Sequence, residues 1–304
     1  MPTMDKIAPS PPTTIKMTHL HLPFGTAFGT VRYAVIIGTH DSQGTPGLSL
    51  ELTVVDAFAK QAFTGNPAAV ALVEEYPSDD MMRRVAMEMN LSETAFVRTR
   101  PDGDYDLRWF TPAAEVELCG HATLAAASVL GGSPRFHTLS GILNTRNLAD
   151  GRVELDFPAD PPSPEVIDNR LVAMGAVACW RGRFDLVAEL PDAEAVRNLA
   201  PDLGVISGLG TRGVIFTAGG DRPGLDCVSR VFCPNVGVPE DPVTGSAHCT
   251  LAVLWGHRLG KEVLLGEQAS ARGGEVGMSL DGDRVRLSGR AVRVARVDMS
   301  SAGL

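Results

Sequence analysis

The stretch EDPVTGSAHCTLAVLW, residues 240–255, starts as an acidic, proline-bearing turn and becomes an almost wholly apolar run. Gly245 permits a sharp turn, and Ser246 is the expected cap of a helix starting at about Ala247. From Ala247 to Trp255 only His248 and Thr250 break the apolar character. Such a helix is buried on all sides. Its free N–H groups and positive dipole end then face whatever precedes it, which makes that end a ready anion site.

This stretch has an echo. Residues 110–130 read FTPAAEVELCGHATLAAASVL, and residues 232–255 read FCPNVGVPEDPVTGSAHCTLAVLW. Each runs Phe-x-Pro, an acidic loop, then Gly-x-Ala opening an apolar helix, with Gly120 and Gly245 in matching places. The agreement of order, polarity and end signals points to an internal duplication.

The rest of the chain fits two such units. The 304 residues are 44% hydrophobic and 21% charged, enough for two cores. A net charge of −9 without a basic cluster argues against a nucleic-acid partner. No run of 18 apolar residues is present, so no membrane span is expected. Five scattered cysteines, Cys119, Cys179, Cys227, Cys233 and Cys249, have no metal spacing and suit a reducing cytoplasm.

Residues 1–50 differ in composition and are expected to form a poorly ordered extension, with one short β-like run at 31–37. The first half spans 51–160. In it LTVVDAF (52–58) and residues 68–74 are strands around a TGNP turn, and residues 78–89 are an amphipathic helix capped by Ser78. Met81, Val85 and Met89 are expected to line its inner face, and Asn90 to stop it. PADPPSP (158–164) is the best linker, and the second half spans 165–298. It carries strands near 184–190, 213–217, 226–232, 269–271, 275–280 and 284–297, the last able to pair with the first half. Each half reads as an antiparallel sheet or barrel wrapped around a central buried helix, an α+β fold. If the two helix N-termini face one cleft, that cleft suits a small carboxylate held by backbone N–H groups.

Five motifs in order carry a resemblance: GNPAAV (65–70), NLSETAF (90–96), FTP…ELCGHATLA (110–125), EDPVTGSAH (240–248) and SARGGE (270–275). Over residues 52–297 the chain resembles the PhzF-like, phenazine-biosynthesis-like family, which shares the diaminopimelate epimerase fold. The resemblance implies a cofactor-free isomerase, commonly a homodimer, acting by proton transfer on a small carboxylate such as trans-2,3-dihydro-3-hydroxyanthranilate. The family's Ser-Glu-Thr glutamate matches Glu93, its Gly-His histidine matches His121, and its Asp-Pro-x-x-Gly-Ser motif matches Asp241 and Ser246.

The catalytic candidates are therefore Glu93, His121 and Asp241. Substrate-binding candidates are Ser246, Gly245, Gly120, Ala122, Asn66 and Thr244. Each also has a plain structural reading: Glu93 as a surface carboxylate, His121 as a satisfied histidine, Asp241-Pro242 as a turn, Asn66 as part of the Gly-Asn-Pro bend. Two-base epimerases of this fold use a cysteine from each half. Cys119 holds that place in the first half, but Thr244 stands at the equivalent place in the second, which disfavours a two-thiol racemase. The rival readings are an epimerase pairing Cys119 with a non-thiol base, and a carboxylate-binding protein without turnover.

Other signals fail on context. GLGTRG (208–213) matches a dinucleotide fingerprint but precedes the strand-like VIFTA, not a helix. GHRLGKE (256–262) lacks the spacing and hydroxyl of a P-loop, and the histidines form no metal pattern.

Overall fold

A computed structural model describes residues 39–40 and 46–301. The β-like run expected at 31–37 lies outside the described residues, as does most of the stretch read as an extension. Within that stretch, β1 (Thr39–His40) pairs with the start of β2 (Pro46–Ala57), so regular structure begins before residue 51.

The first half continues through β3 (Asn66–Val73), α1 (Asp79–Met89), β4 (Glu93–Thr99), β5 (Tyr105–Phe110), β6 (Glu115–Val116), α2 (Gly120–Leu130), β7 (Arg135–Thr138), β8 (Gly141–Asn147) and β9 (Arg152–Pro158). The second half comprises β10 (Ser163–Pro164), α3 (Asn169–Ala173), β11 (Ala178–Arg181), β12 (Asp185–Glu189), α4 (Ala193–Arg197), α5 (Leu203–Ser207), β13 (Gly213–Gly219), β14 (Cys227–Cys233), β15 (Val238–Asp241), α6 (Gly245–Leu259), β16 (Val263–Gln268), β17 (Gly274–Asp281) and β18 (Arg284–Ser301).

Strand pairing closes a ring in the first half: β2, β3, β4, β5, β7, β8 and β9 neighbour one another in that order, and β18 joins β9 back to β2. An eight-stranded barrel normally fills its interior with side chains alone. Here α2 occupies it, and residue size explains how. Ala122, Ala125, Ala126 and Ala127 on the helix pack in one core with Ala57, Ala68 and Ala95 from the strands. The second half repeats the plan, with β11 to β14, β16, β17 and β18 neighbouring in turn, and α6 in its core.

Not every pairing is antiparallel. The pairs β3–β4, β5–β7, β12–β13 and β14–β16 are parallel. Parallel neighbours need a crossover, commonly helical. The crossovers here are α1, α2, α4 with α5, and α6, the same plan in each half. This repetition of connectivity agrees with the sequence echo. The last strand of each half also reaches into the other. β18 pairs with β17 and then β2, and β9 pairs with β8 on one side and with the start of β18 on the other.

Local readings hold in part. Ser78 caps α1 through a 3.2 Å bond from Met81 N, and Asn90 ends it in the left-handed region at φ 49°. The buried face is Met82, Val85 and Ala86, which packs against Ala71, Phe96 and Phe110, so of the expected face only Val85 is buried. The strand expected at 269–271 is instead β16, ending at Gln268. Helix α6 starts at Gly245 with Thr244 as its N-cap residue in extended backbone, so Ser246 lies inside the first turn and is no cap. Among the described residues no helix is long and apolar enough to cross a membrane.

Candidate active site

The two central helices meet at their N-termini. A Cβ built on Gly120 would lie 3.4 Å from the Gly245 Cα, and the reverse holds equally. A side chain at either position would come into contact with the backbone of the other helix terminus. The N-cap residues are Cys119 and Thr244, the pair aligned by the sequence echo, and neither side chain caps its helix. The first-turn N–H groups of Gly120, His121 and Ala122 thus converge with those of Gly245, Ser246 and Ala247 without an intrahelical acceptor.

Around this junction the candidate side chains assemble. Asn66 opens β3 and is fully buried. Its Nδ2 donates to Asp241 Oδ1 at 2.8 Å and to the Val243 carbonyl at 2.9 Å, and lies 3.2 Å from His121 Nδ1. Ser92 Oγ donates to Asn66 Oδ1 at 3.1 Å. Glu93 opens β4 beside it, because β3 and β4 run parallel with Ala68 opposite Glu93. Its Oε2 lies 3.0 Å from His121 Nε2. Both atoms are buried, and among the described residues neither has a hydrogen-bond partner outside this contact. Only 7% of the His121 side chain and 17% of Glu93 is exposed.

The second half fixes Asp241. Thr244 Oγ1 donates to its Oδ2 at 2.6 Å. Gln268, at the end of β16, accepts from Thr244 N at 2.8 Å and donates to the Asp241 carbonyl at 2.6 Å. Arg272 of the SARGGE motif donates to Asp56 Oδ1 at 2.7 Å and to the Gly65 carbonyl at 2.8 Å, tying the turn before Asn66 to the second half. Ser246 Oγ accepts from Arg212 at 2.9 Å. All the expected site residues therefore lie at one junction. Gln268, Arg272 and Arg212 were not singled out from sequence. Arg272 and Arg212 lie in stretches already quoted, SARGGE and GLGTRG, whereas Gln268 lies in none.

Electrostatics follow from burial. The Asp241 carboxyl is pushed up to about 6, chiefly by burial and with Glu93 adding, while His121, Thr244 and Asn66 pull the other way. Burial opposes charge on His121, but Cys119 and Glu93 beside it outweigh that and hold its pKa well above the ordinary imidazole value. Burial pushes the Cys119 thiol up to about 11. When His121 is neutral, its Nδ1 faces two donors, the Asn66 amide and the Cys119 thiol 3.6 Å away. Its proton then sits on Nε2, against Glu93.

Glu93, Cys119 and His121 bring three ligand-type atoms within 4.8 Å of one another. The 3.0 Å between Glu93 and His121 is shorter than the roughly 3.3 Å edge of a tetrahedron with ~2.0 Å ligand bonds. The cysteine is held as a thiol. This geometry suits a shared proton better than a shared ion.

Comparison with known proteins identifies the family. Residues 55–297 match the PhzC-PhzF family, described as phenazine biosynthesis-like protein. An uncharacterized isomerase of Halalkalibacterium halodurans is 44% identical over 264 residues, covering 83% of this chain and 99% of the relative. The phenazine biosynthesis-like domain-containing protein of Homo sapiens is 42% identical over 282 residues, covering 81% and 98%. A crystal structure of a PhzF family phenazine biosynthesis protein from Enterococcus faecalis superposes with a TM-score of 0.79 at 39% identity, covering 83% of this chain and 99% of that one. With residues 55–297 matched by the family model, the chain belongs to the PhzC-PhzF, phenazine biosynthesis-like family and is an isomerase.

Proposed function

We propose that this isomerase moves a proton on a small carboxylate held where α2 and α6 meet, without a cofactor. The observation that carries the reading is the contact of two uncapped helix termini beside the Glu93–His121 pair. Ser246 and the N–H groups of Gly120, Ala122 and Gly245 bind the carboxylate. Glu93 takes a proton from one carbon and returns it at another, so the proton count is unchanged. His121 shares that proton through Nε2. Asp241, held by Asn66 and Thr244, orients the substrate as a hydrogen-bond acceptor. An epimerase reading through Cys119 has less support, because a thiol pushed up to about 11 is protonated near neutral pH.

The test is proton exchange. Candidate cyclic and amino-acid-like carboxylates are incubated with the protein in D2O, and loss of substrate C–H signal is followed by NMR. Glu93→Gln is expected to slow exchange by roughly 100- to 10,000-fold. Exchange that survives in Glu93→Gln but vanishes in Cys119→Ala would transfer the proton role to the thiol.

A further inference from the structure

The GLGTRG segment at 208–213 leads into a strand rather than a helix, and its geometry is specific. Gly210 sits at φ +67°, and a Cβ on Gly213 would fall 2.5 Å from the Phe232 carbonyl. The glycines are thus explained by a tight turn feeding β13 directly against β14. What the turn delivers is Arg212. Its guanidinium donates through Nε to Asp185 Oδ1 at 2.8 Å and through Nη2 to the other Asp185 oxygen. The same Nη2 donates to Ser246 Oγ at 2.9 Å. Asp185 is only 3% exposed, and the Phe184 ring packs 5.1 Å from the guanidinium carbon. Arg212 is therefore clamped, with little freedom to turn away.

A serine hydroxyl offers one hydrogen and two lone pairs. With one lone pair filled by a guanidinium, the hydroxyl cannot donate toward Arg212. Among the described residues the Ser246 hydrogen has no acceptor of its own. We propose that Arg212, anchored by Asp185, is a positioning residue that fixes Ser246 as a polarised hydrogen-bond donor to the ligand and makes the site select a carboxylate over its neutral amide. Charge-assisted hydrogen bonds are stronger than neutral ones, and the arginine passes that assistance on without touching the ligand. A lysine at 212 keeps the positive charge for Asp185 but has no planar fork to reach both partners.

The inference rests on the carboxylate reading of the helix junction, and one titration separates the two. Formate, acetate and benzoate, with benzamide as the neutral control, are titrated into ¹⁵N-labelled full-length protein while the amides of residues 120–122 and 245–247 are followed. Wild type is expected to prefer benzoate to benzamide. Arg212→Lys and Ser246→Ala are each expected to cut that preference about tenfold, and the double variant no further. Arg212→Lys retains a cation beside Asp185, and unchanged spectra away from the site check its fold. An unaltered preference in Arg212→Lys, or additive losses in the double variant, would overturn the role of Arg212 alone. Wild-type amides that move with none of the three acids would overturn the carboxylate site and this inference with it.

Discussion

Asn66 Nδ2 and Asp241 Oδ1, 175 residues apart in sequence, form a 2.8 Å hydrogen bond that joins the two halves at their helix junction. The same amide reaches Val243 O and approaches His121. An amide nitrogen has two hydrogens, and Asp241 and the Val243 carbonyl take both, so a rearrangement at one is felt by the other.

Asn66→Ala removes the hub and leaves Asp241, the Val243 carbonyl and Ser92 each short of a partner. We expect a stability loss of roughly 1–3 kcal/mol and a fall in exchange rate larger than that loss explains. Urea unfolding and D2O exchange on the same preparation check both. Unfolding and exchange both indistinguishable from wild type would show the hub to be incidental.

Asp241 gives a pH signature. A carboxyl raised from 3.8 to about 6 holds its proton more tightly folded than unfolded. Its contribution to stability is therefore lost as pH rises from about 4 to about 6, reaching a cost of about 3 kcal/mol above that window. Asp241→Asn, which cannot ionise, is expected to gain stability relative to wild type between pH 4 and pH 7. Because the ionised carboxylate is the acceptor in the proposed mechanism, wild-type kcat/KM is expected to fall below pH 6. Stability curves of Asp241→Asn and wild type that run parallel across this range would rule out the raised carboxyl.

Much of this was legible in sequence because it is local. The apolar runs after Gly120 and Gly245 are helices with buried flanks, and Ser78 caps α1, since both signals act over one or two turns. The site residues came from motif positions, and the fold brings them together. What escaped depends on register between distant strands. Gln268 reaches Thr244 across 24 residues, and Arg212 reaches Ser246 across 34. The start of α6 was misplaced for a related reason. Ser246 is a good cap by type, but here Thr244 takes the extended backbone and Arg212 claims the serine. The parallel pairings were missed because alternation along a strand does not reveal the direction of its neighbour.

Cys119 tests the choice between mechanisms. It is 6% exposed, and burial pushes its thiol up to about 11. At pH 7.5 fewer than about one molecule in a thousand then carries the thiolate. Cys119 is expected to resist iodoacetamide in the folded protein, and Cys119→Ala to keep exchange within about threefold of wild type. Mass spectrometry of the labelled peptide reads the first, and the NMR assay reads the second. Rapid labelling of Cys119 in folded protein would revive the epimerase reading.

His248 sets the acid limit of the second half. It is fully buried in α6, and its Nδ1 donates to the Thr244 carbonyl at 2.8 Å. Burial pushes its pKa down from 6.5 to about 4, against the smaller opposing effect of that bond. The unfolded chain therefore takes up a proton below pH 6.5 that the folded chain refuses. Stability is lost as pH falls from about 6.5 to about 4, by about 3 kcal/mol in total. His248→Asn can keep a donor near Thr244 but cannot titrate. It is expected to be less stable than wild type at pH 7, through lost packing, and to close that gap toward pH 4. Urea midpoints at pH 7, 5.5 and 4 provide the comparison. A gap that stays constant or widens on acidification would mean that protonation of this imidazole does not set the acid limit.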